Sequence, residues 1–399
     1  MPRLLAAVPL LPALACGPGA VCGQGQVVPA PGDSSGAFLY QPDAVLDLQL
    51  LLDAQSWEAL PEHPGEQEGD VGATLVYAGR EWPCGLRLKG ASSFRGMDEK
   101  AAFKIDFHAW DEDATFFGVR RLTLDNMVQD PSKLSESLSY WLHAAVGGTA
   151  PRHGWACLRV GGEDFGLYSL VETMDEQFVA QQFADPTGNL YEGGRGADLR
   201  DGRRELFEVE EQGEPAGRGD LQALIDALEA ATPEGYLEVL DRHFELDRLL
   251  GTLAVEVYLG DVDSYVTKAN NFLLYHQPTD GRWTLIPWGA DQAFRADLDP
   301  YDPWDPDARA EHGRLYEDCL ASPVCAAALQ ARIAEVADLA EAEGLALLAD
   351  ERRAFIADLV RSDPRAEEGA WTLRQAPREA VRFLERRPAS VREQLEEGP

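Results

Sequence analysis

Lysine is scarce in this chain of 399 residues: only Lys89, Lys100, Lys104, Lys133 and Lys268 occur, and nearly all other positive charge is arginine. Basic residues number 35 against 69 acidic ones, a formal net charge of −34 that repels phosphodiester backbones and anionic membrane surfaces and argues against nucleic acid as a partner. Beyond the N-terminus there is no uninterrupted apolar run of roughly eighteen residues, so the composition offers no membrane-spanning helix. Close CxxC or CxxH pairs are missing, which argues against a structural zinc site. The seven histidines are scattered without ligand spacing. No internal repeat is present. A hydrophobic content of 45% is nevertheless ample for a core.

The N-terminus, MPRLLAAVPLLPALACGPGAVC, has one arginine, a short apolar run and then small residues around Cys16. It is expected to be a signal peptide over 1–22, with either ordinary cleavage or lipidation at Cys16, whose ALAC context resembles a lipoprotein box. Residues 23–37 are expected to be a Pro/Gly/Ser linker, and 38–399 the folded domain. The expected localisation is exported, whether periplasmic, cell-surface or extracellular, with any membrane attachment through the N-terminal lipid. In such an oxidising compartment, Cys319 and Cys325 are expected to form a local bridge across a Ser-Pro turn. Cys84 and Cys157 are expected either to bridge or to stay buried thiols, the bridge being favoured.

Within the domain, VLDLQLLLD, ATLVYAG, CGLRLKG, AFKIDFH and RRLTLDN alternate like strands. DPSKLSESLSYWLHAAVG predicts a helix with Asp130 as N-cap and Pro131 at its first position. WACLRVGGEDFGLYSLVE predicts a hairpin about Gly161-Gly162. Helical periodicity dominates later, with Pro364 and Pro377 as breaks near the end. The fold class expected is α+β, a sheet-rich part over 38–190 followed by a helix-rich part over 191–399.

The stretch GDVDSYVTKANNFLLY, followed by IPWGADQAF, crowds Asp261, Asp263, Asn270, Asn271 and Asp291 between apolar flanks. Carboxylates and amide oxygens in one loop suit magnesium and phosphate, whereas a merely structural role would use them as helix-end caps and turns. Phosphoryl transfer needs a cation on the phosphates, a carboxylate to take the hydroxyl proton, and oxygen ligands for a metal. Lys104 alternates with Phe103 and Ile105 and so leaves its strand on the opposite face; Lys89 is a rival for the same role. Glu172, at a strand end, is expected to pair with one of these lysines.

The ordered run RLKGASSF, AFKIDF, FGVRRLTLDN, DPSKLSESLSYWL, APRHGWACLRVGGEDFGLYSLVE, GNLYEGG, GDVDSYVTKANNFLLY and IPWGADQAF resembles the CotH (spore-coat protein H) kinase family. The resemblance implies an atypical protein-kinase-like fold, with a nucleotide cleft between its two parts, that uses ATP and Mg²⁺ (or Mn²⁺). It implies phosphorylation of serine in a secreted or surface protein. It makes Asp263 the catalytic aspartate, Asn270 or Asn271 a metal-side amide, Asp291 a metal carboxylate, and Lys104, Lys89 and Glu172 the nucleotide-binding set. Gly289 stands where the family commonly has a further aspartate, Ser135 where it has arginine, and Glu192 where it has lysine. These departures imply the alternative reading, a catalytically weak pseudokinase serving as a surface binding or structural module.

Overall fold

A computed structural model describes residue 22 and residues 35–67, 69–211, 217–295 and 312–397. The expected leader up to residue 21 and most of the expected linker lie outside the described residues.

The first half is a barrel. Strands β1 (Val45–Leu51), β2 (Val71–Tyr77), β3 (Arg80–Lys89), β4 (Ala102–Asp106), β5 (Arg121–Asp125), β6 (His153–Val160) and β7 (Glu163–Val171) close in the order β1-β2-β3-β4-β5-β7-β6. Neighbours are antiparallel except at the closure, where β1 runs parallel to β6 from Val45↔Trp155 to Leu50↔Val160. Alternation explains the interior: Leu46, Leu48, Leu50, Leu86, Phe103, Ile105, Leu122, Leu124 and Tyr168 form its core, while the intervening side chains face outward. Two helices flank these strands, α1 (Ala54–Glu58) after β1 and α2 (Ser135–Ala145) between β5 and β6.

Beyond the barrel come α3 (Glu176–Gln182), β8 (Asn189–Gly193), β9 (Phe207–Glu211), α4 (Gly219–Glu229), α5 (Tyr236–His243), α6 (Leu246–Leu259), α7 (Tyr265–Lys268), β10 (Phe272–His276) and β11 (Trp283–Pro287). A four-stranded sheet of order β11-β10-β8-β9 covers one side of the barrel. The C-terminal helices are α8 (Arg314–Ala321), α9 (Pro323–Ala342), α10 (Leu345–Ser362) and α11 (Thr372–Glu397). They pack around α6 and reach α2 in one large core. The architecture is α+β, sheet first and helices after. The boundary expected near residue 190 falls inside β8, whose pairing with β10 assigns it to the second sheet. No single helix among the described residues is long and apolar enough to cross a membrane.

Several local expectations change. Helix α2 begins at Ser135, not at Pro131, because Lys133 takes a left-handed φ of 59° and interrupts the turn. Asp130 still serves that terminus from upstream, accepting from the backbone N–H of Ser132 and of Ser135, both at 2.8 Å. Pro377 does not break the last helix. Both Pro377 and Pro388 lie buried inside α11, where packing outweighs the missing backbone donors.

The Cys319–Cys325 bridge is present, at the α8–α9 corner. Cys84 and Cys157 are not bridged: Cys157 bonds Cys22, and Cys84 is a free, buried thiol. The reason lies in the barrel wall, since Cys84 points into the barrel core and Cys157 points out toward the helical core. Burial pushes the Cys84 thiol up to about 12. A leader cut after residue 22 would remove the partner of Cys157, whereas a cut at Cys16 would keep it.

Candidate functional site

The outer face of β3–β5 carries a polar stripe dictated by register. Arg87 opposes Lys104, and Lys104 opposes Thr123, so all three project from the barrel wall on the face away from Phe103 and Ile105. Across from them stand Glu192 of β8, Glu210 of β9 and Leu273 of β10, with Trp288 just beyond β11. The space between is a cleft of about 250 Å³. Arg87 is paired with Asp70 at 2.7 Å, and Arg121 is paired with Asp106, Asp175 and Glu176. Lys104 has no ion pair among the described residues. Burial and the neighbouring Glu210 push Glu192 up to about 6, against the pull of Lys104.

At the inner end lies an acid cluster. Lys89, the last residue of β3, reaches across β4 to Asp125 at the end of β5, Nζ to Oδ2 2.5 Å. Its Nζ also lies 5.5 Å from the centre of the ring of Trp288, which lines the cleft together with Lys104. Burial alone would lower the Lys89 pKa, but Asp125, Glu136 and Asp291 raise it. Burial would raise Asp125, yet Lys89 and the Met127 N–H hold it below the ordinary carboxylate value. Glu136, on α2, accepts from Ser169 Oγ at 2.7 Å and Tyr140 Oη at 3.1 Å. Burial, followed by the charge of Asp125, pushes Glu136 up to about 8. Asp291 is raised well above the carboxylate range by burial and by Asp125, Glu136, Asp261 and Asp130. Carboxylates outnumber cations here, and the surplus is what raises them.

The polar loop between α6 and β10 forms the third part. Gly260 ends α6 in a left-handed conformation, and the buried Asp261 then accepts the Asp263 N–H at 3.0 Å. Burial pushes Asp261 up to about 7. Asp263 gathers three amides on one oxygen: Asn270 Nδ2 at 3.2 Å, Asn271 Nδ2 at 3.2 Å and Gln292 Nε2 at 3.1 Å all donate to Oδ2. Lys268 Nζ stands 3.3 Å from Oδ1. A carboxylate only accepts, so both asparagines must turn their NH₂ groups toward Asp263, leaving their amide oxygens to face elsewhere. Asn271 Nδ2 also donates to the Gly289 carbonyl at 3.2 Å, which ties the loop to the segment bearing Asp291.

Residues 86–391 match the family model described as CotH kinase protein. The chain belongs to the CotH family. Inner spore coat protein H of Bacillus subtilis (strain 168) is 24% identical over 209 residues, 50% of this chain and 56% of that protein. The chain thus spans little more than half the length of this curated relative. Among solved structures, the Helicobacter pylori proinflammatory kinase CtkA is similar at 10% identity over 85% of this chain and 96% of that one, with a TM-score of 0.34. HipA of a Shewanella oneidensis MR-1 toxin–antitoxin complex with HipB and operator DNA is similar at 13% identity over 88% and 75%, with a TM-score of 0.37. Scores this low carry no argument about the site.

Within this CotH domain, the structure brings Asp263, Asn270 and Asn271 into direct contact, sets Asp291 beside Lys89, and places Lys104 in the cleft. Glu172 is the exception. It grips Arg152 through both the guanidinium, Nε to Oε1 2.9 Å, and the backbone N–H at 3.0 Å, and meets neither lysine. A lysine-facing carboxylate that the sequence did not single out is Glu136, on the helix that follows the strands. Asp125, Trp288 and Gln292 were also missed as site residues. The signal for Asp125 was present: a strand-end aspartate in LTLDN one strand away from a strand-end lysine. Among the described residues, no three His, Cys, Asp or Glu side chains are grouped to hold a metal ion unaided.

Proposed function

We propose that this CotH domain is an exported ATP- and Mg²⁺-dependent protein-kinase-like phosphotransferase acting on serine in a secreted or surface protein. The observation that carries the reading is the meeting, within one family domain, of Lys89 at the end of β3 with the Asp291 segment, to which Asn271 and Gln292 tie the Asp263 loop. The donor chemistry fits magnesium, or manganese in its place: one carboxylate, Asp291, and an asparagine amide oxygen turned away from Asp263 are hard oxygen ligands. Such ions are ordinarily held by one or two carboxylates plus substrate phosphates, so no closed protein cage is needed. When bound, the metal would offset phosphate charge beside a cluster that already has too many carboxylates.

Lys104 supplies the uncommitted cation of the cleft and would meet phosphate oxygens. Lys89 is held by Asp125 and keeps the inner carboxylates apart from one another in charge. In the transfer, the serine oxygen forms a bond to the terminal phosphorus as the bond to the leaving ADP oxygen breaks, and the hydroxyl proton passes to Asp263. Its Oδ2 is saturated by three amides, which leaves Oδ1 as the accepting atom, and Lys268 Nζ, 3.3 Å from Oδ1, must give way to the hydroxyl. The cleft of about 250 Å³ is below the roughly 300–1,000 Å³ of ordinary ligand pockets, so the barrel and second sheet must part to admit a nucleotide. Glu192 and Glu210 would disfavour an acidic substrate segment and favour a basic or neutral one.

One observation favours the weaker-module reading: Gly289 supplies no carboxylate and leaves Asp291 alone on that segment. Incubation of the exported protein with labelled ATP and Mg²⁺ or Mn²⁺ decides between them. Incorporation of label into the protein or an exported acceptor, lost in Asp263→Ala, supports the enzyme. Nucleotide binding without transfer supports the module, and no nucleotide binding at all overturns the phosphotransfer reading and leaves the module standing.

A further inference from the structure

The link between α10 and α11 lies far in sequence from the cleft, yet its side chains end on the β3–β4 connection that follows Lys89, on β7, and on the turn that leads into α2 with its Glu136. Asp363 pairs with Lys100, and its Oδ2 accepts the Leu167 N–H at 3.0 Å in the middle of β7. The fit is close: a Cβ on Gly166 would come within 2.2 Å of the Asp363 carboxylate, and Gly166 has a φ of +82°. Glu367 holds Arg95 with both carboxylate oxygens. Arg365 lies over the Phe165 ring at 3.6 Å, donates to the Met97 carbonyl at 2.8 Å, and pairs with Glu163. Residues 90–101, which these contacts pin, connect β3 with its terminal Lys89 to β4 with Lys104.

Two further contacts bracket Glu136 itself. Glu368 pairs with Lys133 at 2.6 Å, and Lys133 Nζ also donates to the Met127 carbonyl at 2.8 Å. Arg352, buried on α10, donates through Nη1 to the Ser137 carbonyl at 2.5 Å and to Ser137 Oγ at 2.6 Å. One clamp therefore sits three residues before Glu136 and the other one residue after it. Three of the chain's few lysines serve this arrangement: Lys100 and Lys133 are bound by the link, and Lys89 is what it orients. Lys100 and Lys133 are only 2% and 6% exposed, too deep to be solvated surface pairs.

We propose that the α10–α11 link, together with Arg352 of α10, is a clamp in which Arg352, Asp363 and Glu368 are positioning residues, fixing α2 and the β3–β4 connection so that Glu136 faces Lys89 and Asp125. The inference that this setting matters for phosphate transfer rests on the function proposed above; the mechanical clamp does not. None of the three touches the cleft. They act through the helix and strand ends they hold, and misplacement of a charged group by about 1 Å is enough to cost on the order of 10²-fold in rate.

The test uses Glu368→Gln, which keeps shape and loses the charge, Asp363→Asn, and Lys133→Arg as the conservative variant that retains the pair. Amide hydrogen exchange is expected to quicken at least several-fold over residues 135–145 in Glu368→Gln and over residues 90–101 in Asp363→Asn, and to stay at the parent rate in Lys133→Arg. Turnover with ATP and Mg²⁺ is expected to fall about 10- to 100-fold with the nucleotide KM changed less than about threefold, and Lys133→Arg is expected to retain it. Unchanged exchange in α2 in Glu368→Gln, or over residues 90–101 in Asp363→Asn, overturns the clamp. Faster exchange with undiminished turnover overturns the positioning role. Faster exchange in a protein whose parent neither binds nucleotide nor transfers phosphate upholds the mechanical clamp and overturns the phosphotransfer reading, so the two failures are distinct.

Discussion

Lys89→Met is the sharpest probe of the acid cluster, because it removes the charge and keeps most of the stem. Asp125, 6% exposed, would retain among the described residues only its bond from the Met127 N–H. Breaking a buried pair from one side costs about 3–5 kcal/mol, since the remaining charge is left unsolvated. The carboxylate has an escape, which is to take up a proton. From an ordinary value of 3.8, that escape costs about 1.4 kcal/mol per pH unit, or roughly 6 kcal/mol at pH 8 and roughly 2 at pH 5. The penalty for losing Lys89 is therefore capped by protonation, and the cap falls as the solution becomes more acid.

The expected loss is about 3–5 kcal/mol at pH 8 and no more than about 2 kcal/mol at pH 5. Urea denaturation followed by fluorescence at both pH values measures it. The double variant Lys89→Met/Asp125→Asn should regain most of the loss at pH 8, because the asparagine oxygen still accepts from Met127 while the orphan charge is gone. Equal losses at the two pH values, with no recovery in the double variant, would refute the electrostatic reasoning. They would show that the loss comes from how the methionine packs and not from the orphaned Asp125 charge.

Other consequences follow from the same geometry. Lys104→Ala should change stability by less than about 1 kcal/mol, having no partner to orphan, and weaken ATP binding about tenfold or more in calorimetry. Asp263→Asn sets an amide against three amide donors, so it should lower turnover by roughly 10²- to 10⁴-fold and measurably destabilise the loop. Gly289→Asp should not simply restore a ligand: at a φ of +52° its Cβ would lie 3.1 Å from Asn271, and a loss of about 1–2 kcal/mol with no gain in Mg²⁺ affinity is expected. Glu136, Glu256 and Asp261, raised by burial to about 8, 8 and 7, bind more protons folded than unfolded. Their contribution to stability is therefore fully present near pH 4 and lost toward pH 8, and Mg²⁺ should raise the melting temperature more at pH 8.5 than at pH 5.5.

What the sequence revealed was what strand alternation and loop chemistry express locally. Lys104 was readable as outward because Phe103 and Ile105 flank it, and the barrel cores both of them. The polar loop was readable because Asp263, Asn270 and Asn271 lie within one turn-rich stretch. The Lys89–Asp125 pair was not, since it crosses a whole strand, and periodicity says which face a residue takes but not which neighbour it meets. Glu172 was assigned to a lysine because it ends a strand, but the short connection from Arg152 into β6 brings a guanidinium there first. Cys157 was given the wrong partner for a similar reason: alternation within β3 and β6 leaves open that the two cysteines face opposite sides of one closed wall.

The loop's backbone shows why its side chains are so polar. Ala269, Asn271 and Phe294 hold left-handed φ values of 47°, 54° and 63°, conformations that cost non-glycine residues on the order of 1–3 kcal/mol each. Strain of that size in two short segments would relax unless something over-determined the path. Asp263 does so, because its single Oδ2 binds side chains from both segments, Asn270 and Asn271 from one and Gln292 from the other. Glu256 adds a buried acceptor for the Val266 N–H at 2.9 Å, and Ser264 with Thr267 caps the short α7. The same carboxylate thus sets the shape of the loop with one oxygen and meets Lys268 with the other. Asp263→Ala should therefore lose proton acceptance and loop geometry together, whereas Gln292→Ala should loosen only the link to Asp291. Turnover that fell in Asp263→Ala while hydrogen exchange across 260–271 stayed at the parent rate would separate the two roles and show that the strain is held elsewhere.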